Sequence, residues 1–164
     1  MAEDKKRFDD VSSLTQLGKS GTEYKFDEPT WEMLETFPNR FPNRDYVVVY
    51  RTDEFTSLCP RTNQPDFGVI TIEYIPRDKC IETKSLKLYL FAYRNYGIFM
   101  ESIVNKILDD CVKAADPKWM RVIGNFKARG GITIDVVAEH GIPPMPGMPL
   151  GVASAEQIEG GKTN

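Results

Sequence analysis

Cys59 and Asp66 stand seven positions apart in Glu54-Phe-Thr-Ser-Leu-Cys59-Pro60-Arg-Thr-Asn-Gln-Pro65-Asp66-Phe-Gly68, a turn-rich stretch between two apolar runs. A thiolate is a nucleophile and a neighbouring carboxylate can carry its proton, so the pair suits covalent catalysis with proton transfer. Pro60 and Pro65 remove two backbone donors and restrict the residues before them. The stretch is therefore expected to continue neither flanking strand and to present Cys59 on a stiff loop within reach of a ligand. The plain alternatives are a small buried hydrophobe at Cys59 and a turn former at Asp66, ahead of Phe67.

A second group of polar residues lies in Cys80-Ile-Glu82-Thr83-Lys84-Ser85-Leu-Lys87-Leu-Tyr89-Leu-Phe-Ala-Tyr-Arg94. Its period fits strand or helix. A helix opening near Thr83 or Ser85, both good N-caps, places Lys84 and Lys87 on one face of the first turn. Unpaired N–H groups there favour an anion such as phosphate. Glu101 falls in the opening turn of a further helix, where a carboxylate also complements the dipole.

The elements that must hold these residues follow from pattern. Asp45–Arg51 and Phe67–Ile75 read as strands joined by the loop 53–66. Apolar residues from Ile98 to Val112 recur at helical spacing until Asp116-Pro117. Trp119–Phe126 and Ile132–Val137 are two more strands, joined through the hairpin-like Arg129-Gly130-Gly131. The order is ββααββ. Residues 24–44 suit a segment wrapped over one side of the sheet, residues 1–20 a flexible arm, 21–141 a single domain, and 142–164 a Pro- and Gly-rich tail.

Composition limits the function classes. The 164 residues are 41% hydrophobic and 27% charged, ordinary for one globular domain. No apolar run approaches the ~20 residues of a membrane span, and no signal peptide follows the charged start. A cytoplasmic protein is expected, with Cys59, Cys80 and Cys111 as free thiols. A net charge of −3 argues against general nucleic-acid binding. The cysteines and His140 lack paired metal-ligand spacing, so no metal site is indicated, and no Gly-x-Gly-x-x-Gly is present. A four-stranded sheet with helices on one face leaves edges and a far face to cover, which points to an oligomer.

These residues, in this order, resemble the QueF family of NADPH-dependent 7-cyano-7-deazaguanine reductases, nitrile reductases of queuosine biosynthesis. The likeness rests on Phe55-Thr-Ser-Leu-Cys59-Pro60 with Gln64-Pro-Asp66-Phe67, on Glu82 to Tyr89 with Phe91 and Arg94-Asn95, on Glu101 after Phe99, and on Arg129-Gly-Gly-Ile132. It covers most of the chain and matches the short, single-unit form of the family. It implies an α+β tunnelling fold: an antiparallel four-stranded sheet with two helices on one face. Such units assemble around a central tunnel with active sites between subunits, here into a homo-oligomer, a decamer of two stacked pentamers.

The resemblance also assigns roles. Cys59 attacks the nitrile carbon of 7-cyano-7-deazaguanine to give a covalent thioimide, Asp66 moves the proton, and two hydrides from NADPH complete the reduction to an amine. Glu82, Thr83, Lys84, Ser85 and Lys87 belong to the cofactor motif, with Thr83 where the family commonly has Ser or Leu. Arg129 adds a cofactor contact or is simply an exposed hairpin arginine. Glu101 grips the amino-pyrimidine edge of the base, since an ionised carboxylate accepts two hydrogen bonds at once. Many family members carry a histidine where this chain has Met100; His140 is the sole histidine available to replace it. Two rivals remain: a related amidinotransferase acting on a nitrile base in transfer RNA, and a non-catalytic deazapurine-binding protein.

Overall fold

The computed structural model describes residues 28–143 together with Ser13 and Thr15. Most of the expected arm, and the tail beyond Pro143, lie outside the described residues. The chain runs through a 3-10 turn at Trp31–Met33, β1 (Thr36–Pro38), β2 (Val48–Leu58), β3 (Pro65–Ile75) and β4 (Lys79–Ile81). There follow α1 (Thr83–Ala92), a 3-10 turn at Tyr93–Asn95, α2 (Met100–Ala115), β5 (Trp119–Arg129) and β6 (Ile132–Gly141). The long strands form one antiparallel sheet in the order β2-β3-β5-β6, and the short β1 and β4 pair separately. The main sheet and its two helices therefore have the expected ββααββ order.

Alternation along the strands sends one set of side chains to the helices. Ile70, Ile72 and Tyr74 of β3 and Met120, Val122 and Phe126 of β5 join Ile103, Val104, Ile107 and Cys111 of α2 in one core. The 3.6-residue repeat of α2 buries these positions. It ends at Asp116, which takes a left-handed conformation ahead of Pro117 while its N–H reaches Val112 O at 2.9 Å. Tyr89 of α1 donates a 2.7 Å hydrogen bond to Asp110 of α2, and its hydroxyl also meets that of Tyr93 at 2.9 Å. The two helices are thus locked to each other beneath the sheet. On the opposite face the fully buried Glu73 accepts from Arg121, which stands opposite it in the ladder.

Three expectations need correction. Residues 54–68 do continue both strands, and the loop shrinks to 59–64. The reason lies in the rung Leu58–Pro65: the Leu58 N–H and C=O point to Tyr96 and Ile98, so this rung asks for no donor from Pro65. Pro60 falls just past the strand. The segment 28–38 covers the helices rather than the sheet, with Trp31 under the Lys113 ammonium at 4.4 Å and Leu34 in the core. Its β1 pairs with β4, and Glu82 N donates to Glu35 O at 2.8 Å just beyond the last rung. Finally, α1 is capped neither by Thr83 nor by Ser85 but by Glu82. No described helix is long and apolar enough to cross a membrane.

Candidate active site

The hairpin of β2 and β3 closes over six residues, 59–64. Cys59 N donates to Gln64 O and Asn63 N to Cys59 O, each at 2.9 Å, while Asn63 takes a left-handed φ of 56° that Asn tolerates better than most residues. This tight return folds donors back onto the thiol. The groups that favour its thiolate are, in order, the Thr62 hydroxyl, the Arg61 and Thr62 N–H groups and, more weakly, the Arg129 guanidinium. Their combined pull, outweighing desolvation, lowers its pKa from 9.0 to about 7. Cys59 stands at the start of this turn and is only 4% exposed. The ladder continues to the Cys59–Gln64 rung, and Tyr96–Ile98 lies alongside.

Asp66 sits at the start of β3, 5% exposed, with its Oδ1 accepting from Arg129 Nη1 at 2.9 Å. Arg129 reaches it because β5 is bulged between Phe126 and Arg129, and because Gly130 and Gly131 turn the chain with φ of 62° and 82°. The guanidinium expected at the cofactor thus pairs with Asp66, and it also favours the Cys59 thiolate. Thr62 was not singled out from sequence. The signal available was a hydroxyl three residues after a cysteine in a Pro-bounded turn, which says nothing without the turn's geometry.

The start of the second helix is tied to the end of this hairpin through backbone. Leu58 N donates to Tyr96 O at 3.1 Å and Ile98 N donates to Leu58 O at 3.0 Å, forming a parallel bridge between Leu58 and Gly97. A Cβ on Gly97 would stand 3.2 Å from Pro60 Cα, so the bare glycine lets the two segments approach. Three residues beyond Ile98, Glu101 opens α2 with an exposed side chain, next to Phe99, which is 59% exposed. Met100 between them is 5% exposed and belongs to the core. His140 lies near the far end of β6, opposite Met120, eight residues from the hairpin turn. At the strand rise of about 3.3 Å per residue that is roughly 26 Å.

The cofactor motif divides into two parts. The Glu82 carboxylate accepts from Lys84 N at 2.8 Å and Ser85 N at 2.6 Å, filling the anion site expected to be open at the helix start. Ser85, fully buried, donates from Oγ to Glu82 O at 2.8 Å and accepts from Glu35 N at 3.0 Å. Both side chains therefore brace the first turn. Thr83 and Lys87 are exposed and line a cavity of about 370 Å³ between α1 and β2–β3, with Arg51, Tyr50, Phe55 and Phe91. A hydroxyl and cations on the rim of an apolar, aromatic cavity fit a phosphate-bearing cofactor with flat rings.

Cys80 and Cys111 are buried and, like Cys59, free. Cys111 is completely enclosed, and burial pushes its thiol pKa well up, with Asp110 adding to the rise.

Residues 65–144 match the family model described as QueF-like protein. The NADPH-dependent 7-cyano-7-deazaguanine reductase of Bacillus cytotoxicus is 50% identical over 135 residues, covering 82% of this chain and 81% of that protein. The enzyme of the same name from Bacillus licheniformis is 50% identical over 134 residues, with the same coverage. Among solved structures, the archaeosine synthase QueF-Like in the apo form superposes with a TM-score of 0.55 at 28% identity, over 60% of this chain and 96% of that one. With half the residues shared across four-fifths of both proteins, and the ββααββ unit in place, the chain belongs to the QueF family of NADPH-dependent 7-cyano-7-deazaguanine reductases.

Proposed function

We propose that this chain is a cytoplasmic nitrile reductase that converts 7-cyano-7-deazaguanine to 7-aminomethyl-7-deazaguanine with NADPH, in queuosine biosynthesis. The observation that carries the proposal is the thiol of Cys59, lowered to about 7, in the same hairpin as Asp66. A thiolate at neutral pH adds to the nitrile carbon, and the nitrogen takes up a proton as the thioimide forms on sulfur. Asp66 takes the proton that leaves the Cys59 thiol and hands it to that nitrogen. Its Oδ1 is engaged by Arg129, so Oδ2 is the oxygen that handles the proton. When bound, NADPH supplies the hydrides, and Thr83, Lys84 and Lys87 are the residues that would hold it, projecting from the turn braced by Glu82 and Ser85. Glu101 takes the amine and ring N–H of the base, and Phe99 offers it an aromatic face. Met100, enclosed in the core, has no part in proton transfer.

The same reading includes self-association into two stacked pentamers. Its support is the pair of sheet edges: among the described residues β2, apart from the Leu58–Gly97 bridge at its end, and β6 are unpaired on their outer side, and Ile132 and Val137 of β6 are exposed at 70% and 58%. A neighbouring subunit would complete the wall around Glu101.

Nitrile-dependent loss of NADPH, followed together with the mass of the base, tests the proposal. Two NADPH consumed per amine formed is the expected result. A nitrile adduct on the protein with intact cofactor would move the chain to the amidinotransferase class. Neither adduct nor consumption would leave a base-binding protein.

A further inference from the structure

Ser57 carries a hydroxyl with no evident structural use. It is fully buried, and its Oγ has no hydrogen-bond partner. It faces Asp66 directly across the β2–β3 ladder. Side chains so placed have Cβ atoms about 4.5–5.5 Å apart. Cys59 follows two residues later, and its N–H bond to Gln64 O continues the ladder by one more rung, so both side chains leave the hairpin on the same face. Ser57, Cys59 and Asp66 therefore share one face of the hairpin end.

Most polar groups around Ser57 are already engaged, Asp66 Oδ2 being the one left to handle the proton. The Thr56 hydroxyl donates to Asp66 O at 2.9 Å, Asp66 Oδ1 holds Arg129, and the Thr62 hydroxyl serves the Cys59 sulfur. Loose packing does not explain the orphan, because the strand is pinned on one side to β3 and at Leu58 to the Tyr96–Ile98 segment. A buried hydroxyl lacking a partner is uncommon in folded proteins and calls for a ligand or a water. A nitrile is a narrow linear group. When its carbon stands over the sulfur, its nitrogen leads into the site and meets whatever lies deeper than Cys59. Ser57, fully buried on the same face and across the ladder from Asp66 with an unpartnered Oγ, is placed to be that group.

We propose that Ser57 is a catalytic residue whose hydroxyl donates a hydrogen bond to the nitrile nitrogen as the Cys59 sulfur adds to the carbon. The assignment rests on the reductase reading above. In the step a C–S bond forms, one C–N π pair moves to nitrogen, and nitrogen takes one proton from Asp66. The proton originally on sulfur is the one returned, so the thioimide forms without another reactant. Ser57 keeps its own proton and stabilises the charge developing on nitrogen, as the donors of an oxyanion hole do.

The test compares two reactions of the same thiol in wild type and Ser57→Ala. One is adduct formation with 7-cyano-7-deazaguanine in the absence of NADPH, followed by intact-protein mass. The other is alkylation of Cys59 by iodoacetamide across pH. The expected result is adduct formation slowed about 10²-fold, with the alkylation rate and its pH midpoint unchanged. Adduct formation at the wild-type rate would overturn the proposal and leave Ser57 as a hydroxyl satisfied by water. Equal slowing of both reactions, or loss of the folded far-ultraviolet spectrum, would overturn it in favour of a structural role. A wild-type protein that forms no adduct would sink the reductase reading itself, and Ser57 with it.

Discussion

Two of the three cysteines are almost equally hidden from solvent and yet are opposite in chemistry. Cys59 is 4% exposed and Cys111 is 0% exposed, but the first thiol is lowered to about 7 while the second is pushed well above its usual value. Burial acts against the thiolate at both. At Cys59 the Thr62 hydroxyl, the Arg61 and Thr62 N–H groups and the hairpin Arg129 favour the thiolate and outweigh desolvation, whereas at Cys111 burial in the apolar core is the main cause of the rise and the Asp110 carboxylate adds to it. Reactivity therefore depends on the balance of burial against local polar groups, and at Cys59 burial alone predicts the wrong sign.

Substitutions that break this contrast rank by the number of roles they remove. Cys59→Ala should lower nitrile turnover by roughly 10⁴-fold or more, whereas Cys111→Ala should leave turnover intact and cost roughly 1–2 kcal/mol of stability through a small core cavity. Steady-state turnover and urea denaturation of both variants check this pair. Arg129→Ala removes the partner of Asp66 and one donor to the thiol together, so kcat should fall about 10²-fold while the KM for NADPH changes little. A large rise in that KM with kcat preserved would return Arg129 to the cofactor. Thr62→Val removes one donor to sulfur. For each unit the thiol pKa rises, the thiolate fraction at pH 7 falls roughly five- to tenfold. Iodoacetamide alkylation at pH 7 should drop by about that factor and recover at pH 9.

The parts of the fold with a long, regular pattern were open to sequence reading. The repeat of α2, the turn at Gly130-Gly131 and the alternation in β3 each carry many residues that agree. The three-residue strands β1 and β4 are too short to show a period, and their pairing joins positions more than 40 residues apart. The cap of α1 was missed because Glu is not a favoured N-cap; here its longer side chain bends back to two N–H groups while the buried Ser85 braces its carbonyl. At the site, Cys59, Asp66 and Glu101 stood out by residue type and motif. Thr62, and Arg129 as their neighbour, depend on a hairpin turn and a bulge that bring together residues 63 positions apart.

The ionisation of Cys59 bears most directly on this account. Peptide-resolved alkylation by iodoacetamide from pH 5 to 10 reports each thiol separately, and only the thiolate reacts. Since the folded thiol is lowered, reactivity should be high above pH 7 and fall as pH drops through about 7 at Cys59, with Cys111 unreactive throughout. A Cys59 midpoint near the ordinary thiol value of 9.0, or alkylation of Cys111 in the folded protein at a similar rate, would contradict it.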